Sequence, residues 1–168
     1  MVQIAGVRVL RSEIQVGDEF NALVNPNRAI PPGSTKIHGI TDTMVADAPN
    51  LLEVAEAFAA YVDDSVLVAN NASFDSAFLD SIAESGGPRI DTPMLCTAQI
   101  AQALDPQIND HTLDAVAERY GVEIEPDVRH SALGDAEATA RVFLKMLPVL
   151  EHKGLTTIND VVGQQYAS

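Results

Sequence analysis

The sequence predicts an α/β fold, and three observations carry that prediction. Two apolar, β-branched stretches open the chain, at residues 3–10 and 19–24. Apolar stripes at helical spacing fill most of the remaining chain, and a short continuous apolar run at residues 65–69 interrupts them. Two strands followed by helices alternating with short strands is the order expected of a sheet covered by helices. No repeat and no internal linker divides the chain, so residues 1–168 are expected to form a single domain.

Residues 3–10 and 19–24, with Gly17 between them, predict two antiparallel strands. Pro26, Pro31 and Pro32 make residues 25–33 a loop. Thr41 and Thr43 are suitable helix caps, and Leu51, Val54, Ala55, Phe58 and Val62 form one helical face. The run at residues 65–69 predicts a strand buried on both faces. A helix with Phe74, Ala77, Phe78 and Ile82 on one side comes next, ended by Gly86 and Gly87. Pro93, with Thr92 as cap, is expected to open another helix reaching about Leu104. Residues 113–120 predict a short helix stopped by Gly121. Residues 131–150 predict a longer one with Ala132, Ala136, Ala140, Phe143 and Leu147 in a stripe, and Pro148 as its end or a kink. Residues 158–162 suit a final turn.

The composition is that of a globular chain, with 46% apolar and 20% charged residues. No apolar run approaches the ~20 residues needed to span a bilayer, and residues 1–4 lack the basic start and cleavage site of a signal peptide. Cys96 is the only cysteine, which excludes an intrachain disulfide and points to the reducing cytoplasm. Its apolar surroundings suit a buried thiol better than a nucleophile. A net charge of −14, with only 10 Lys and Arg, argues against an autonomous basic nucleic-acid surface. A nucleic-acid substrate would need divalent metal to offset charge, or a partner to deliver the strand; acidity for solubility is the commoner reading.

Chemistry-bearing residues gather in two segments. Asn70, Asn71, Phe74 and Asp75 directly follow the apolar run, at a strand's carboxyl end where α/β sheets collect ligands. Alone, Asp75 is better explained by the positive end of its helix, since an Asp in a first turn is common. His130, Ser131, Ala132, Leu133, Gly134 and Asp135 open the long helix. There a carboxylate beside small, core-facing residues is costly unless paired, and a metal ion is one natural partner.

Together these segments, Asn-x-x-Phe-Asp at residues 71–75 and His-x-Ala-Leu-x-Asp-Ala at residues 130–136, resemble the second and third motifs of the DEDDh 3′→5′ exonucleases. That family includes the proofreading epsilon subunit of bacterial DNA polymerase III. The stretches Leu23-Val24-Asn25-Pro26, Ile30-Pro31-Pro32, Ile37-His38-Gly39-Ile40-Thr41, Met44-Val45 and Asp91-Thr92 resemble the same family in the same order, up to about Leu150. The resemblance implies a ribonuclease-H-like mixed sheet flanked by helices and two Mg²⁺ or Mn²⁺ ions at the 3′-terminal phosphodiester. It implies Asp75 and Asp135 as metal-site carboxylates and His130 as general base. It also implies His38, Gly39, Asn70, Asn71 and Phe74 around the terminal nucleotide of a single-stranded 3′ end, and a polymerase or fused domain as partner.

The family's first motif, Asp-x-Glu on its first strand, has no counterpart here. Residues 2–9 resemble the family's second strand, so the expectation is a domain whose first strand and motif lie before Met1. Asp18 and Glu19 are adjacent and would face opposite sides of a strand, and Asp135-Ala136-Glu137 lies on a helix. Asn70 stands where relatives often have His. The sequence therefore supports three expectations: an exonuclease domain, a hydrolytically inactive nucleic-acid-binding module of the same fold, or a metal-free interaction domain.

Overall fold

The computed structural model describes residues 1–165. Strands β1 (Gln3–Leu10) and β2 (Glu13–Leu23) form an antiparallel hairpin, with Gln3 opposite Leu23 and Leu10 opposite Glu13. The chain reverses at Arg11 and Ser12, both left-handed at φ 54° and 62°, which is what a two-residue hairpin turn requires. The sequence placed the reversal near Gly17, because a glycine is the usual signal for that backbone. Gly17 is left-handed (φ 83°) but lies inside β2. The register shifts between Val7 and Val9, so that residues 15–18 bulge opposite Arg8.

Helices α1 (Pro32–His38), α2 (Asp42–Val45) and α3 (Leu51–Tyr61) come next. Asn50 starts α3 with a capping box: its side chain accepts from the N–H groups of Leu52 and Glu53, while Glu53 accepts from the N–H of Asn50. Strand β3 (Leu67–Ala69) then runs parallel to β4 (Met94–Cys96), with α4 (Ala72–Glu84) between them. The helix expected from Pro93 is thus delayed. Met94–Cys96 extends beside β3, and α5 (Thr97–Leu104) begins only afterwards. Three apolar residues read equally well as strand or helix until a neighbour is known. Helices α6 (Leu113–Arg119), α7 (Ala132–His152) and α8 (Ile158–Gln165) complete the order.

The fold is mixed α/β, and its sheet consists of two separate pieces, β1–β2 and β3–β4. Helix α7 packs against β1, β2 and β3, and so lies across both. Among the described residues β3 has one bonded neighbour, which explains why it is half-buried rather than buried on both faces. The core-facing stripe of α7 is Ala138, Val142, Met146 and Leu150, one step round from the predicted one; Pro148 is exposed and the helix continues to His152. Val142, Met146 and Leu150 join Leu95, Ile100 and Val116 in the main core. A second cluster, Ile4, Val24 and Val54 with Phe20 and Phe58, seals the hairpin against α3. Arg8 pins the same contact: it pairs with Asp18 at 2.9 Å and lies 4.6 Å over the Tyr61 ring. Among the described residues no helix is long and apolar enough to cross a membrane.

Candidate active site

The first candidate segment turns sharply between β3 and α4. Asn71 is left-handed (φ 62°, ψ 48°), a conformation its short side chain tolerates. Its Oδ1 accepts from Ser73 Oγ at 3.2 Å, and its carbonyl accepts from the N–H of Phe74 at 2.9 Å. Asn70 is fixed from β4's end: buried Thr97 donates to its Oδ1 at 2.8 Å. Thr97 was not visible as a site residue in the sequence, because residues 94–96 read as helix. Phe74 was placed on the packed side of α4, yet it is 71% exposed, so its ring faces solvent at the helix start. Asp75 sits in the same first turn. Although Asp75 retains solvent contact, the protein around its carboxyl withdraws hydration and raises its pKa, partly offset by its own backbone N–H.

The second segment is built around the start of α7. Ser131 caps the helix, accepting from the N–H of Gly134 at 3.0 Å and donating to the Val128 carbonyl at 2.6 Å. His130, left-handed at φ 65°, donates its backbone N–H to Asp135 Oδ1 at 3.2 Å. Gln3 on β1 accepts from the N–H of Ala132 at 3.2 Å, tying this helix end to the hairpin. Burial is the main influence on Asp135 and raises its pKa. The His130 N–H and the charges of His130 and Arg129 pull it down, and Asp114 pushes it up. His130 is exposed and Asp135 half-buried.

His38 closes α1 beside left-handed Gly39 (φ 74°). Its Nδ1 accepts from the N–H of Ile40 at 3.0 Å, leaving Nε2 to carry the proton of the neutral ring.

The structure thus joins His130 directly to Asp135 and Asn70 to the end of β4. Among the described residues, neither Asp75 nor Asp135 forms an ion pair, and no hydrogen bond links Asp75 to His130 or Asp135. Carboxylate oxygens are the donors that hard divalent ions take. Among the described residues no group of three or more His, Cys, Asp or Glu side chains is gathered to hold one. A divalent ion held by Asp75 or Asp135 would need substrate oxygens and waters to complete its shell.

Comparison with known proteins gives the family and the fold. The family profile described as "Exonuclease" (RNase_T) matches residues 1–143. The chain is 43% identical over 164 residues to a DNA polymerase III subunit epsilon-like protein of Rhodobacter capsulatus, covering 98% of this chain and 23% of that protein. It is 35% identical over 150 residues to the DNA polymerase III subunit epsilon of Pasteurella multocida, covering 87% of this chain and 58% of that one. The chain therefore spans less than two thirds of the length of each of these relatives. Exonuclease X in complex with 5′-overhanging duplex DNA superposes with a TM-score of 0.76 at 28% identity, over 98% of this chain and 90% of that one. The nuclease domain of 3′hExo, a DEDDh family member bound to rAMP, shares the fold with the same TM-score of 0.76 at 17% identity, over 92% of this chain and 82% of that one.

Proposed function

The chain belongs to the exonuclease family, and from that premise we propose that it takes part in 3′→5′ hydrolysis of single-stranded nucleic acid, DNA in the first instance. The observation that carries this reading is the His130–Asp135 contact at the start of α7, where the backbone N–H of His130 donates to a half-buried carboxylate whose pKa burial raises. DEDDh exonucleases use divalent metal ions, and here Asp75 and Asp135 would hold Mg²⁺ or Mn²⁺. When bound, such ions supply positive charge at the scissile phosphate and acidity at the attacking water.

The residues of the chain divide the remaining work. His130 takes a proton from the water as its oxygen forms a bond to phosphorus; the P–O3′ bond breaks, and the departing oxygen takes a proton from solvent water. Exposed Phe74 offers a face on which the terminal base stacks. Asn70 and Asn71, held by Thr97 and Ser73, border that face with polar groups. His38 and Gly39 complete the nucleotide's surroundings.

One named relative is a DNA polymerase III subunit epsilon and the other an epsilon-like protein, which supports a polymerase or a fused domain as partner and a proofreading or repair role. With a net charge of −14, the chain needs that partner or the metal to retain a strand. A single cysteine in the sequence, Cys96, suits a cytoplasmic setting.

A second reading has its own observation. Without a gathered three-donor group among the described residues, the chain would bind nucleic acid and not cut it. Oligonucleotides labelled at either end, with Mg²⁺ or Mn²⁺ and with EDTA, separate the two. Chelator-sensitive release of single nucleotides from the 3′ end is expected of an exonuclease. Binding without release supports the second reading, and absence of both excludes each.

A further inference from the structure

The residue just before His130 is tied down from another helix. Arg129 forms an ion pair through Nη2 with Oδ2 of Asp114, in the first turn of α6. Both side chains are 46% exposed, and such a pair contributes little to global stability. Its location gives it another use. Residues 121–130 contain no helix or strand, and they connect α6 to α7, which pack on each other. Within them the Glu125 carbonyl accepts from the N–H groups of Val128 and Arg129, both at 3.2 Å. His130 comes next in a left-handed conformation, held through its backbone N–H by Asp135. Among the described residues no hydrogen bond holds the His130 imidazole itself, so the ring takes its place from the backbone that carries it. The charges of Asp114 and Arg129 both reach Asp135, which places the pair in the same neighbourhood.

We propose that Arg129 is a positioning residue for His130, its ion pair with Asp114 holding the 125–130 segment so that the His130 backbone keeps its hydrogen bond to Asp135 and the imidazole keeps its place. This rests on the reading of His130 as general base. Neither Arg129 nor Asp114 touches the reacting atoms. Together they limit how far His130 wanders between turnovers.

The test uses the whole 168-residue chain with Arg129→Gln, Asp114→Asn, the exchanged pair Asp114→Arg/Arg129→Asp, His130→Ala and Arg129→Gln/His130→Ala. The first readout, independent of activity, is amide hydrogen exchange at His130. Each single neutralisation should speed it about 5- to 30-fold, and the exchanged pair should restore most of the protection. The second is 3′-end release on an oligonucleotide with Mn²⁺. Arg129→Gln should lower kcat by a similar factor at nearly constant KM, and should add no further loss in the His130→Ala background. Exchange within twofold of the parent in Arg129→Gln, no recovery in the exchanged pair, or full multiplication of the two kinetic losses would each overturn the proposal. Parental turnover in His130→Ala would instead remove the general-base reading, whatever the exchange data show.

Discussion

Gly134 lies so close to the carbonyl oxygen of Val128 that a Cβ added to it would stand 2.2 Å away, and 2.9 Å from Ser131 Oγ. Neither neighbour is the far end of a flexible side chain. Val128 belongs to the turn before His130, and Ser131 Oγ is already engaged with the Gly134 N–H and the Val128 carbonyl. Gly134→Ala should therefore push the turn away from α7. The expected cost is about 1–3 kcal/mol from overpacking, read as a lower Tm, with any nuclease activity falling further as His130 moves from Asp135. A Gly134→Ala protein with unchanged Tm would show that the turn relaxes freely.

His130→Ala should separate chemistry from binding. Loss of a general base typically costs about 10²- to 10⁴-fold in rate, whereas the exposed ring contributes little to the core. Single-turnover hydrolysis and oligonucleotide affinity, measured on the same preparation, should show the rate falling and the Kd nearly unchanged. A rate within a fewfold of the parent would make His130 structural.

Phe74→Ala should do the reverse. With 71% of its surface already in solvent, the ring gives up little packing, and Tm should stay within a degree or two. If a terminal base stacks on it, affinity for a single-stranded 3′ end should weaken by about 1–3 kcal/mol. Fluorescence anisotropy with a short oligonucleotide reads this directly, and an unchanged Kd would remove Phe74 from the nucleotide surroundings.

Burial holds the Asp135 carboxyl above its ordinary pKa. Between the unfolded value, about 3.9, and the raised folded one, the native state binds more protons than the unfolded state. Stability contributed by this group is thus present at low pH and lost as pH rises through that window. Asp135→Asn keeps an oxygen acceptor for the His130 N–H but removes the charge. In EDTA it should melt above the parent at pH 7, with the difference vanishing near the unfolded carboxyl pKa of about 3.9. The same sign applies to Asp75→Asn, with a smaller gain because Asp75 keeps solvent contact. A lower Tm for Asp135→Asn at pH 7 would show that the ionised carboxylate stabilises the fold.

Periodicity located α3, α4 and α7, because each carries an apolar face long enough to outvote local ambiguity, while α6 was bounded by its stop at Gly121. It failed at β4, where Met94–Cys96 becomes strand only because β3 lies beside it. It also failed at the hairpin turn, where Arg11 and Ser12 adopt left-handed backbone without the glycine that announces it. At the site, the sequence named His130 and Asp135, and their close spacing along the chain brought them into contact. Phe74 was grouped with Phe78 and Ile82 on one helix face by its spacing, and the resemblance set it against the terminal nucleotide; its exposed ring departs from the first reading. The Asp114–Arg129 pair had no sequence signal, since it depends on α6 packing against α7.

The division of the sheet has a consequence for how the molecule comes apart. The hairpin and α3 close over Ile4, Val24 and Val54, whereas β3, β4 and helices α5 to α8 enclose a different core. Among the described residues, no strand-to-strand hydrogen bonds join the two sheet pieces, and α7 is the element laid across both. Opening should then proceed in two steps of unequal free energy. The hairpin, with its smaller core, would detach while α7 remains seated on Leu95, Ile100 and Val116. Because Gln3 holds the N–H of Ala132, the first step would also loosen the start of α7. Proteolytic nicking in β2 would therefore report on the condition of the His130 segment before global unfolding begins.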